Sequence, residues 1–287
     1  MRYRFLRYPE GKEKAVTFSY DDGVRADVRL AEVCSRHGIK CTFNINSSRI
    51  AEESGGYKLS AEEIRKYLLD AGHEVAIHGY NHTAPGLSSP INTVQDVLNC
   101  RLELERIFGR IIRGLAYPDS GITNYQCGTD YPTTRAILQN LDIAYARTLG
   151  SDNNFFRLPA DWYAWMPTIH HTNPKALEYA DEFVNFDVTS QYVARRYPLL
   201  FYVWGHSYEF DNNNNWELLE ELCQKLGGRE DIWYATNIEI YDYVHAYESL
   251  VFSADNSIVY NPTLYKIWLE QDTVLYSVDP GQTLVIK

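Results

Sequence analysis

Apolar positions fall in short runs separated by stretches with helical spacing. "AVTFSY" (15–20), "KCTFNIN" (40–46), "HEVAIH" (73–78), "IRGLAYP" (112–118), "IAYARTL" (143–149), "LLFYVWGH" (199–206) and "IWYATN" (232–237) read as strands. Helical patterns lie between them. One covers residues 25–37 and is closed by Gly38; a second opens on the capping box Ser60–Glu63 and stops at Gly72. Others cover 93–108, 133–140 and the amphipathic "NWELLEELCQKLG" (215–227), with one or two more in 175–196. The last strand feeds "IEIYDYVHAYESL" (238–250). Repeated strand–helix units imply parallel strands with right-handed crossovers, and this many units predict an α/β fold: an irregular (β/α) barrel of mostly parallel strands over residues 1–250. Beyond residue 250 the period changes. Alternating residues and a Pro-Gly turn predict a small β-rich C-terminal appendage over 251–287.

The polar residues that end these apolar runs are Asp21, Asp22, Asn44, Asn46, His78, Tyr117, Arg147, His206 and Asn237. In a parallel barrel the carboxyl ends of all strands meet on one face, so these residues should converge. Adjacent carboxylates at the end of a buried strand repel each other unless a cation joins them. "HGYNH" supplies its other donors. His78 and His82 are four apart, so on a helical turn both imidazoles face one way. With an aspartate they make a two-His, one-carboxylate face that leaves positions open for water and substrate. Asp22 as ligand leaves Asp21 to take a proton from water, and His206 to protonate a departing amine. The ligand set suits a divalent metal ion, Zn first, with Co, Mn, Ni or Fe also compatible. "HEVAIH" has one residue too many for a zinc-protease H-E-x-x-H, which makes His73 structural. There is no G-x-S-x-G elbow and no Walker or dinucleotide glycine fingerprint.

Composition narrows the partners. The chain has 287 residues, 45% hydrophobic, enough for a substantial core. A net charge of −11 argues against a nucleic-acid or anionic-membrane surface, and the basic residues Arg106, Arg110 and Arg113 read as a solvated helix end. Five cysteines without a C-x-x-C pair predict reduced thiols. The amino terminus has no apolar leader and no run reaches membrane-spanning length, so the expected location is cytoplasmic; an exported form also fits a chain trimmed of its leader. The 23 tyrosines and 6 tryptophans offer rings suited to stacking on sugars. No protein partner is legible.

These motifs resemble those of the polysaccharide deacetylases, metal-dependent enzymes that remove acetyl groups from sugar polymers. The family's T-F-D-D-G corresponds to Thr17-Phe18-Ser19-Tyr20-Asp21-Asp22-Gly23, with two extra residues before the aspartates. Its H-[ST]-x-x-H corresponds to His78–His82, with Gly79 in place of the hydroxyl residue that braces the loop. Its R-x-P-[YFW] corresponds to "LAYPDSG", which keeps Pro118 but has Ala116 near the arginine position; Arg147, ending the next strand, is the substitute. The Asp-Trp motif corresponds to Asp161-Trp162, and the strand ending in x-H to "VWGHS". The resemblance covers about residues 15–250. It implies an irregular (β/α) barrel with Asp21 as general base, His206 as general acid, and Asp22, His78 and His82 as metal ligands. It further implies a carbohydrate substrate that loses an N-acetyl group, in a groove lined by Tyr20, Tyr117, Trp162 and Trp204. A backbone N–H near Tyr117 would face the oxyanion, and the loop after His206 would border the substrate. Two alternatives stand beside this: hydrolysis of another linear or cyclic amide, and a catalytically silent carbohydrate-binding barrel.

Overall fold

The computed structural model describes residues 3–150 and 152–286. Its main sheet has eight parallel strands among the described residues: β2 (Lys14–Asp21), β3 (Cys41–Ile45), β4 (Glu74–Ile77), β5 (Gly114–Ala116), β6 (Tyr145–Arg147), β7 (Ile169–His170), β8 (Leu199–Gly205) and β9 (Ile232–Tyr234). They run in the order β6-β5-β4-β3-β2-β8-β7, with β9 also paired to β2. The sheet curls into an incomplete barrel. Residues 165–170 cross the space between its edges, with Trp165 bridging Arg147 of β6, and Ile169 and His170 pairing with β8.

β2 is buried over all eight residues, because helices cover one side of the sheet and the barrel interior the other. Phe18, Phe43, Ile45, Val203 and the apolar face of α1 (Ala26–Arg36) share the main core. The Ser60–Glu63 capping box forms as expected and opens α2 (Ala61–Ile64), which runs into a π-helical turn over Arg65–Leu69. α3 starts earlier than its apolar pattern implies, at Pro90, with the Ser89 side chain as cap (Pro90–Phe108). α4 spans Tyr131–Asn140.

Over 175–196 there is one helix, α5 (Ala176–Asn185), followed by irregular chain. The Asp187 carboxylate takes the N–H groups of Thr189 and Ser190, which turns the backbone out of helical register. The segment after His206 is a short helix, α6 (Tyr208–Asn212), and not a loop. α7 (Trp216–Leu226) and α8 (Asn237–Glu248) complete the helices, α8 opening on a second capping box, Thr236–Glu239. None of the helices in the described residues is long and apolar enough to cross a membrane.

The remaining strands make two small antiparallel sheets. β10 (Val251–Phe252), β11 (Ile258–Tyr260) and β14 (Thr283–Val285) form one; β12 (Ile267–Gln271) and β13 (Val274–Val278) join β1 (Arg4–Arg7) in the other. The phenol of Tyr243 on α8 donates to the Arg7 carbonyl and accepts from the Trp268 N–H, which ties that sheet to the barrel.

Candidate metal centre and active site

Asp21 is the last residue of β2, 1% exposed, with both oxygens occupied. Oδ1 accepts from Asn44 Nδ2 at 2.8 Å and Oδ2 from the Arg147 guanidinium at 2.5 Å. Two parallel strands supply these donors in different ways: the neighbouring β3 pairs Asn44 directly with Asp21, whereas Arg147 reaches across from the end of the edge strand β6. Arg147 is fully buried, and its guanidinium lies over the Trp204 ring, 4.5 Å from the centroid. Burial, the largest influence, pushes the Asp21 carboxyl up, but Arg147, His78 and His206 together hold it below the usual range.

Asp22 turns the other way. Its φ of +88° puts it in the left-handed region, which only a few residue types besides glycine tolerate. The Asp22 N–H bonds the Asn44 carbonyl and Lys58 Nζ bonds the Asp22 carbonyl, so this conformation is held from both sides.

His78 follows β4 directly. Its Nδ1–H donates to the Ala116 carbonyl at 2.9 Å, which leaves the Nε2 lone pair facing the site. The chain between His78 and His82 is a tight loop instead of the expected helical turn, with left-handed φ at Gly79 (+76°) and His82 (+63°). That loop brings the imidazoles to 4.8 Å between centroids. One donor atom each from Asp22, His78 and His82 falls within 4.8 Å of the others. His78 Nε2 and Asp22 Oδ1 are buried without a hydrogen-bond partner, and a buried polar atom left unpaired is costly. Two orphaned acceptors and a third ligand atom aimed at one point fit a divalent cation.

The bracing hydroxyl that Gly79 lacks is replaced from α3. The Asp96 carboxylate accepts the N–H groups of Tyr80 (3.1 Å) and Asn81 (2.8 Å), and Asn46 Nδ2 holds the His78 carbonyl. A Cβ at residue 79 would run into Asp96 Oδ2. Restoring the hydroxyl with Gly79→Ser should therefore weaken the centre. We expect a loss of about 1–3 kcal/mol in thermal unfolding and weaker metal retention in dialysis; unchanged values would show that the loop tolerates a side chain there.

His206 follows β8, with Nε2 4.0 Å from Asp21 Oδ2. Its N–H donates to Glu209 Oε2 at 3.2 Å, and Nδ1 lies 3.6 Å from Glu209 Oε1. Burial opposes a charge on this imidazole and is the largest influence, but Glu209, Asp21 and Asp22 together raise its pKa. Ser207 Oγ donates to Asp27 on α1 at 2.5 Å, and Asp27 also accepts the Val24 N–H, so the segments after Asp22 and after His206 are tied together.

The other expected site residues divide. Trp204 is in place beside Arg147 and His170. Tyr20 is fully buried with its ring against His171 and Phe210, and so cannot line a groove. Tyr117 is 1% exposed and donates to the Tyr163 carbonyl; Pro118 is buried beside it. The Tyr117 N–H is spent on the Arg147 carbonyl at 3.0 Å, so it does not face an oxyanion. Asp161 bonds Tyr131, Arg135 and its own 3-10 turn, and Trp162 packs on Trp165, Tyr241 and His245. The carboxylate at His206 is Glu209, three residues on, which a one-turn spacing could have flagged. Asp27 and Asp96 carried no comparable signal.

Residues 8–146 match the family model described as polysaccharide deacetylase. No curated protein matches the chain. Among solved structures, the chain is similar to a candidate polysaccharide deacetylase from Mycobacterium smegmatis, at 17% identity and a TM-score of 0.57 over 85% of this chain and 94% of that one. It is also similar to the Xyl-CE4 domain of a multidomain xylanase from the hindgut metagenome of Trinervitermes trinervoides, at 14% identity and a TM-score of 0.52 over 82% and 92% of the two chains. A mutant CE4 family pseudoenzyme with restored activity matches at 15% identity and a TM-score of 0.50, over 83% and 70%. At these identities the likenesses show the fold: an α/β half-barrel of parallel strands with small antiparallel sheets.

Proposed function

Because the chain belongs to the polysaccharide deacetylase family through residues 8–146, we propose that it hydrolyses an N-acetyl group on an amino sugar or its polymer, releasing acetate and a free amine. One observation carries this reading: Asp21, clamped by Arg147 and Asn44, lies within 4.0 Å of both His78 Nε2 and His206 Nε2. Proposed base, acid and ligand set thus surround one point at the carboxyl ends of the strands.

A divalent cation held by Asp22, His78 and His82 would lower the pKa of water and polarise the acetyl carbonyl. Asp21 stays ionised beside Arg147 and accepts the proton of the attacking water. His206, whose charged form Glu209 favours, delivers a proton from Nε2 to the amine nitrogen as the carbon–nitrogen bond breaks. Half-buried Tyr208 offers a ring for a sugar face beside His206, whereas Trp204, 8% exposed, lies buried under Arg147. A binding-only barrel would have no need to keep base, acid and ligands together, which favours the enzyme over a silent relative.

The test is acetate release by the metal-analysed protein across chito-oligosaccharides, peptidoglycan fragments, acetylated xylan and simple amides. The expected result is release from an N-acetylated sugar, abolished together with metal content in Asp22→Ala. Release only from simple amides, or none from any member with metal bound, would overturn the sugar assignment. The role of Glu209 has its own signature. His206 must carry its proton, so activity falls as pH rises through its pKa. In Glu209→Gln the carboxylate that raises this pKa is gone, and the basic limb of the pH–rate profile should move to lower pH. A limb that stays put would remove Glu209 from the proton path.

A further inference from the structure

Outside the Asp22–His78–His82 set, a second trio of donors comes together. His170 ends β7, His171 follows it, and Glu209 lies in the first turn of α6. Glu209 Oε2 is 3.3 Å from Nε2 of His170 and 3.3 Å from Nε2 of His171, and one atom of each residue lies within 4.8 Å of the others. A tetrahedral ion with bonds of about 2.0–2.1 Å sets its ligand atoms about 3.3–3.4 Å apart. Both histidine–glutamate spacings already have that value.

His171 gives the second, independent observation. It is 1% exposed, and neither ring nitrogen has a hydrogen-bond partner. Its proximity to Glu209 is therefore not a formed hydrogen bond. The ring is fixed by stacking on Phe210 (4.1 Å) and Tyr20 (5.6 Å), and Gly205 clears space for it, since a Cβ there would enter the imidazole. A rigid buried imidazole with two unpaired nitrogens bears the cost of an unsatisfied polar group, and ligation at Nε2 relieves part of it. At His170, Thr172 Oγ1 stands 2.7 Å from Nδ1 and can accept its proton, which frees Nε2 to bind. The Thr172 N–H also reaches that Nδ1, at 3.2 Å, and this longer contact must open on loading. His170 and Glu209 are 22% and 25% exposed, so a cation can enter from solvent.

We infer that His170, His171 and Glu209 form a second site for a first-row divalent cation of the zinc type, separate from the centre at Asp22, His78 and His82. Two imidazoles and one carboxylate suit Zn, Co or Ni better than Mg or Ca.

The test is equilibrium dialysis of chelator-stripped protein against Co2+, with metal analysis and visible absorption. Wild type should bind two equivalents, and an Asp22→Ala/His82→Ala variant should keep one, with the intense absorption of a tetrahedral ion. His170→Ala should keep one. His171→Phe, which fills the same stacked slot, should also keep one and so separates ligation from packing. A wild type that binds one equivalent, which the Asp22→Ala/His82→Ala variant then loses, would overturn the second site and leave Glu209 as a partner of His206 alone. The readout needs no substrate, so inactivity towards acetylated sugars would leave the result intact.

Discussion

Replacing Asp21 by asparagine is expected to lower turnover by about 100- to 10,000-fold, the usual worth of a positioned proton acceptor, while the metal content stays that of wild type. The two aspartates are neighbours in sequence but not in role: Asp21 faces Arg147 and Asn44, and Asp22 faces His82 across 3.8 Å. An amide at residue 21 keeps the shape and loses the basic oxygen. Its NH2 group must also oppose one of two donors, Arg147 or Asn44, at a cost of about 1–3 kcal/mol. Thermal unfolding therefore accompanies the assay, so that a drop in rate is not mistaken for unfolding. Turnover within a few-fold of wild type would place the base elsewhere.

The second large effect is expected at Arg147. Arg147→Met keeps much of the aliphatic stem and removes the charge opposite Asp21. Arg147 is fully buried and Asp21 nearly so, so the variant strands a carboxylate in the interior, which should cost about 3–5 kcal/mol at neutral pH. The contact with Trp204 is lost as well. The sign with pH follows from the lowered Asp21 carboxyl. A depressed folded pKa contributes stability above the ordinary carboxylate range and loses it as pH falls through the folded value. The gap between wild type and variant should be widest near neutrality and shrink below about pH 4, where a protonated Asp21 needs no cation. Activity should show the same cause, with the acidic limb of its pH–rate profile moved to higher pH. A gap independent of pH would mean that Arg147 acts through packing alone.

Much of this site could be read from local pattern. Asp21, Asp22, His78, Arg147 and His206 all end apolar runs, and parallel topology gathers strand ends without further information. The loop conformation was not legible in the same way. A spacing of four suggested a helical turn between His78 and His82, yet left-handed backbone at Gly79 and His82 makes the approach, under an Asp96 contributed by α3. Asp161-Trp162 fitted a motif by letters alone; its side chains are committed to Tyr131, Arg135 and Trp165. Tyr20, one residue before the paired aspartates, points into the core because successive strand residues alternate.

By itself the sequence determined the strand–helix alternation, the helix starts at Ser60, and the residue types at the strand ends, because each depends on neighbours a few positions away. Only the tertiary structure decided which carboxylate meets which cation, how residues 165–170 bridge the barrel edges, and that β1 pairs with β12 near the far end of the chain. Those contacts lie beyond the reach of any local period, and Asp21 and Arg147 are 126 positions apart. They are chosen by burial, packing and the need to pair buried charge, none of which a local period records.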